Sequence, residues 1–120
     1  LMNLFELTTP TQLDALRAES HQQPVIIFKH STRCSISRAV LDRVERNWNQ
    51  EGLSEVKPYF LDLLAHRPIS NQIASEFDIE HESPQLILIH QGKPLYAQSH
   101  YGIDVTKIKQ ALQKPEFIKN

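Results

Sequence analysis

Cysteine is almost missing: among 120 residues there is one, Cys34. A single thiol excludes a disulfide within the chain and every zinc pattern that needs several cysteines. Glycine is nearly as sparse, with three residues, and no stretch approaches the roughly 18 continuous apolar residues of a membrane-spanning helix. Charge has no dominant sign. The 13 basic and 14 acidic residues leave a formal net charge of −1, which excludes general electrostatic attraction to nucleic acid or to an anionic membrane. The N-terminus lacks the basic, apolar and small-residue sections of a signal peptide, so a cytoplasmic location is expected. Repeats, low-complexity tracts and linkers are absent too. What remains is a length suited to one domain that buries its core without staples, expected over residues 2–120.

Apolar spacing then gives the order of elements. Leu4, Phe5 and Leu7 within Asn3–Leu7 suit a short strand, and Thr8-Thr9-Pro10 suits a helix start, where the missing donor of proline costs nothing. Leu13 and Leu16 supply a modest apolar face for a helix over 12–20. Pro24 opens Val25-Ile26-Ile27-Phe28, continuous and rich in β-branched residues, the pattern of a strand covered on both faces. Ile36, Val40, Leu41, Val44 and Trp48 recur at three- and four-residue intervals, predicting an amphipathic helix from Cys34 to about Gln50 that ends near Gly52. A strand with its exit loop over Val56–Leu64 follows, and then a short helix over Pro68–Phe77 built on Ile69, Ile73 and Phe77. Gln85–His90 and Leu95–Ser99, joined by the turn Gln91-Gly92-Lys93-Pro94, read as an antiparallel hairpin. Val105, Ile108 and Leu112 mark a closing helix, with fraying expected from Pro115. The order β-α-β-α-β-α-β-β-α predicts an α/β fold: a mixed sheet of about five strands with helices on both faces.

Cys34 stands between the buried-type strand and the long helix. In open α/β sheets that junction lies in the crevice at the carboxyl ends of the strands, where ligands bind. A cysteine at the first helical position meets the unsatisfied N–H groups of the first turn, and the positive end of the helix dipole favours thiolate over thiol. Arg33 adds a neighbouring cation, and Ser31, Thr32, Ser35 and Ser37 supply hydroxyls able to donate to a sulfur anion or cap the helix. Ser37 matters most, because three residues along a helix returns its side chain to the face of Cys34. A dithiol oxidoreductase of C-x-x-C type has its second cysteine there; this chain has C-x-x-S. A mixed disulfide on Cys34 must therefore be released by a second molecule. The other reading of a lone cysteine is a small buried hydrophobe. Ser83-Pro84, ahead of the strand Gln85–His90, is either plain turn punctuation or a cis bond that turns the Ser83 main chain toward an extended substrate beside the thiol.

Three segments in this order, IIFKHSTRCSIS at Ile26–Ser37, HESPQLILIHQGK at His81–Lys93 and SHYGI at Ser99–Ile103, give the chain a thioredoxin-like character over nearly its whole length. More narrowly, it resembles the monothiol bacilliredoxin family. That family often carries proline after its cysteine, where this chain has Ser35. The resemblance implies that Cys34 is a redox nucleophile that removes bacillithiol, a small cysteine-containing thiol, from proteins that carry it as a mixed disulfide. It also implies a cis bond before Pro84, with Ser83 and Ile36 flanking the substrate groove. Bacillithiol, or another low-molecular-weight thiol, would then be co-substrate rather than a tightly bound cofactor, and the partners would be S-thiolated client proteins. Thr32, His81 and His100 stand as supporting residues of open role.

Two rivals accompany that reading. Monothiol glutaredoxins that hold an iron–sulfur cluster usually carry Cys-Gly-Phe-Ser, which is absent. A non-catalytic adaptor that keeps the fold for protein binding is the second. No metal site is expected, because His30, His81, His90 and His100 occur singly rather than in paired spacing.

Overall fold

The computed structural model describes residues 4–50 and 52–113. Its elements run β1 (Phe5–Glu6), α1 (Pro10–Glu19), β2 (Val25–His30), α2 (Ser35–Trp48), β3 (Lys57–Asp62), α3 (Arg67–Phe77), β4 (Gln85–His90), β5 (Lys93–Ser99), a single 3₁₀ turn at His100–Gly102, and α4 (Val105–Gln113). The predicted order holds. Asn3 of the expected first strand and the tail from Pro115 lie outside the described residues.

Strand order is β1-β3-β2-β4-β5. The first three strands are parallel, joined by helical crossovers, whereas β4 runs antiparallel to β2 and β5 antiparallel to β4. Side chains alternate across β2 and β4 and so divide one sheet between two cores. Ile26, Phe28, Leu86 and Leu88 pack with Val40, Val44 and Trp48 of α2 and Ile108 of α4. Val25, Ile27, Ile87 and Ile89 pack instead with Leu13 and Leu16 of α1 and Ile69, Ile73 and Phe77 of α3.

Local chemistry sets the boundaries. Thr9 caps α1 in a reciprocal box, its Oγ1 accepting from the Gln12 N–H at 3.2 Å while the Gln12 Oε1 accepts from the Thr9 N–H at 3.0 Å. The helix therefore starts at Pro10, with the proline in the first turn as Thr8-Thr9-Pro10 predicts. The hairpin turn is shorter than predicted. Gln91 (φ 53°) and Gly92 (φ 76°) alone form it, both at positive φ as a two-residue primed loop requires, and Lys93 and Pro94 already belong to β5. β2 is longer than Val25–Phe28: it continues through Lys29 and His30, whose partners in β3 are Leu61 and Asp62.

Candidate active site

Pairing places Lys29 of β2 opposite Gln85 of β4, and Gln85 opposite Ser99 of β5. The loop after β2, the segment before β4 and the turn after β5 therefore meet at one end of the sheet. Cys34, Ser83-Pro84 and His100 all lie there, together with Leu64 on the loop after β3. Ile36, Leu64 and Tyr101 are large apolar side chains left exposed, Tyr101 at 61%.

Cys34 is half-buried and is not the first helical residue. It is the N-cap of α2, with extended φ and ψ of −105° and 119°. Its carbonyl accepts from the Arg38 N–H at 3.2 Å, its own N–H donates to the Ser31 carbonyl at 3.1 Å, and its side chain makes no capping hydrogen bond. The shift by one residue keeps the thiol beside the first-turn N–H groups, which a side-chain cap would otherwise occupy. Thr32 and Arg33 are exposed in the preceding loop; Ser35 and Ile36 are exposed in the first turn.

Ser37 is fully buried and turned away from the role expected of it. Its Oγ lies 2.6 Å from the His30 Nδ1 and accepts from the Ser31 N–H at 3.1 Å. Neither partner is the thiol. Ser37 instead ties the first turn of α2 to the end of β2 and to the start of the loop that carries Cys34. His30 is 1% exposed. Burial, with the nearby Arg38 guanidinium, lowers its pKa against the opposing pull of Asp62 and Asp42, so the ring is neutral at pH 7.

At the same end of the sheet, just before β4, the Ser83–Pro84 peptide bond is cis. The Pro84 carbonyl accepts from the His100 N–H at 2.9 Å, and the Gln85 side-chain amide donates to the Glu80 carbonyl at 3.0 Å. The Ser83 Oγ is buried with no partner among the described residues. His100 itself, at φ 57°, is exposed, its Nδ1 3.9 Å from the Glu82 carboxylate. The turn behind it is held from α2, where the Arg43 guanidinium donates to the Tyr101 carbonyl at 3.0 Å and to that of Ile103.

His81 has a defined environment. Its Nδ1 lies 3.4 Å from the Lys29 Nζ and 3.1 Å from the Ser70 Oγ. Burial, then the charges of Lys29 and Arg67, lower its pKa against the pull of Glu82. Lys29, fully buried, also donates to the Ser70 carbonyl at 3.5 Å. No carboxylate lies within ion-pair distance of it among the described residues, and burial together with Arg67 lowers its pKa to about 8. Lys29 and His30 are absent from the residues that the sequence pointed to. The signal was available in the alternation of β2: a strand running two residues further sends these side chains to opposite faces.

No group of three or more histidine, cysteine or acidic side chains able to hold a metal ion occurs among the described residues. None of their helices is long and apolar enough to cross a membrane.

Comparison with known proteins agrees with this architecture. A solved structure described as a candidate oxidoreductase with a thioredoxin fold superposes with a TM-score of 0.78 at 25% identity, covering 92% of this chain and 94% of the other. Thioredoxin from Trypanosoma brucei brucei matches with a TM-score of 0.73 at 14% identity over 98% and 93% of the two chains. Fasciola hepatica thioredoxin matches at 0.67 and 18% over 91% and 96%. These likenesses establish a thioredoxin fold. The family described as monothiol bacilliredoxin BrxC matches residues 5–108, which include Cys34, Ser83-Pro84 and His100. This chain belongs to the monothiol bacilliredoxin family.

Proposed function

We propose that the protein is a monothiol thiol-disulfide oxidoreductase that removes bacillithiol from S-bacillithiolated proteins. The observation that carries this is a half-buried, uncapped thiol at the N-terminus of α2, in a chain with no second cysteine. The Cys34 thiolate attacks the bacillithiol sulfur of the client's mixed disulfide. That S–S bond breaks, the client sulfur leaves as thiolate and takes a proton from water, and a new S–S bond joins Cys34 to bacillithiol. A free low-molecular-weight thiol, as thiolate, then attacks the same bacillithiol sulfur, releasing a small disulfide and restoring the Cys34 thiolate. Ser37, where a second cysteine would stand in a C-x-x-C protein, leaves this external release as the only route. Arg33, Ser35 and Ile36 border the thiol, and the main chain of Ser83 offers an edge to the client. A reducing cytoplasmic compartment suits a lone thiol of this kind.

The test is intact mass of the protein after exposure to a bacillithiol-capped model protein, with a glutathione-capped one in parallel. Transfer of the bacillithiol mass to Cys34, much faster than glutathione, is expected. Equal transfer of both would leave a monothiol oxidoreductase of broader small-thiol use, and transfer of neither would favour the adaptor. Cys34→Ser should abolish transfer; retained transfer would refute the mechanism.

A further inference from the structure

A buried lysine without an acidic partner is uncommon, because an ammonium ion taken out of water is ordinarily compensated by a carboxylate. Lys29 has instead two neutral acceptors, the Ser70 carbonyl in α3 and the His81 Nδ1 in the loop that leads to Ser83-Pro84. An ammonium group only donates, and the Ser70 hydroxyl also faces the same ring nitrogen at 3.1 Å. Nδ1 is therefore the acceptor, and the proton of the neutral ring sits on Nε2. The result is a three-way tie between the last part of β2, the body of α3 and residue 81.

The position of that tie gives it a use. From Asp78, which closes α3 at φ 53°, the chain must reach Pro84 at the start of β4. It is pinned at Glu80 by the Gln85 side chain, at His81 by Lys29 and Ser70, and at Pro84 by the His100 N–H. Glu82 and Ser83 are the short span between the last two pins.

We propose that Lys29 and His81, with Ser70, form a buried anchor that positions the Ser83–Pro84 segment for the main chain of an incoming client protein. This rests on the exchange reaction proposed above. Lys29 and His81 are positioning residues: they act on the client through the loop. Their contribution is felt by a substrate that lies along the Ser83 edge, and hardly by a small disulfide that meets Cys34 alone.

The experiment compares wild type with Lys29→Met, His81→Ala and His81→Asn, since an asparagine amide oxygen can take the place of Nδ1. Each is assayed with a bacillithiol-capped protein and with the symmetric disulfide of bacillithiol. For the capped protein, Lys29→Met and His81→Ala should raise KM by about tenfold with kcat nearly unchanged, the scale expected when a binding edge loses its alignment. His81→Asn should restore most of the loss, and the rate at which the small disulfide transfers one bacillithiol to Cys34, releasing the other as thiolate, should stay within about twofold of wild type by intact mass. Wild-type KM in both Lys29→Met and His81→Ala overturns the proposal, as does an equal loss on the two substrates. Amide hydrogen exchange of Glu82 and Ser83 supplies a readout independent of turnover. If the wild type transfers no thiol, the exchange reaction falls, and the anchor is still decided: faster exchange in Lys29→Met and His81→Ala supports it, and unchanged exchange overturns it.

Discussion

Replacing Lys29 by methionine should stabilise the chain at neutral pH while weakening its hold on clients, a pairing that a purely structural lysine would not give. Burial, with Arg67 nearby, takes the Lys29 pKa from 10.5 to about 8. At about 1.4 kcal/mol per pH unit, that drop means a cost of about 3 kcal/mol for keeping the ammonium charged inside the fold at pH 7. Methionine keeps the unbranched stem and removes the charge. It forfeits two hydrogen bonds that are already long, 3.4 and 3.5 Å, worth about 0.5 kcal/mol each at the low end of the usual range. The net gain at pH 7 is about 2 kcal/mol, in line with replacements of buried charges by apolar groups of similar shape.

The pH dependence supplies the refutation. Because the folded-state pKa lies below the unfolded one, the unfolded chain holds more protons between pH 8 and 10.5, so this group makes stability rise with pH across that window. The penalty is fully present below pH 8 and relieved as the wild-type lysine loses its proton. The difference between Lys29→Met and wild type should therefore shrink by about 2 kcal/mol between pH 7 and about 9.5. Urea unfolding followed by Trp48 fluorescence measures it, since Trp48 is 4% exposed within the α2 core. A methionine variant less stable than wild type at pH 7, or a gap that does not change with pH, would show that Lys29 is not a charged, uncompensated group.

Three further expectations follow from the same geometry. Ser37→Ala removes the partner of the His30 Nδ1 and of the Ser31 N–H, both at the site, and should cost about 2 kcal/mol in urea unfolding; a change within about 0.5 kcal/mol, the scale of ordinary surface substitutions, would refute the tie. Arg43→Met releases the carbonyls of Tyr101 and Ile103 and should cost about 1–2 kcal/mol, with faster amide exchange at Ile103 as the local sign. His30 and His81 both have pKa values lowered below 6.5, chiefly by burial. The unfolded chain thus binds protons first as pH falls, stability is lost below about pH 6.5, and His81→Asn should lose less than wild type between pH 7 and 5.

The fold was legible in the sequence because both of its periods are strong. Val25–Phe28 and Leu86–Ile89 are continuous apolar runs, and the spacing of Val40, Leu41, Val44 and Trp48 is that of a helix, so the sheet centre and its main crossover could be read off directly. The position of Cys34 at the strand–helix junction was legible for the same reason. The supporting polar groups were not. A lysine and a histidine directly after Phe28 look like the end of a strand, since charge is ordinarily excluded from the interior. Here the pairing with β3 carries Lys29 and His30 inside, and the hydrogen-bond partners of Lys29 Nζ and His30 Nδ1 come from Ser70, His81 and Ser37, at 41, 52 and 7 residues' separation. Only the two-faced packing of the sheet brings those groups together. Ser37 shows the limit of helical spacing as a guide: three residues from Cys34 is the right interval, yet the side chain is buried against β2 and its hydroxyl is taken by His30 and Ser31.

The two buried residues explain how the loop that carries Cys34 and the loop that carries Ser83-Pro84 are each tied to the same central strand. Lys29 and His30 are neighbours on one strand, so their side chains leave it in opposite directions. His30, through Ser37 and with Ser31, fixes the turn that presents Cys34. Lys29, through His81 and Ser70, fixes the segment that presents Ser83 and Pro84. Because β2 is central, Lys29 is paired with both β3 and β4 and His30 with β3, so neither residue can shift without disturbing the sheet. Both loops are thereby referred to the backbone of one dipeptide rather than held separately. A buried charge that lowers stability is intelligible in that position, since an apolar residue there would pack well yet leave the His81 loop without its donor.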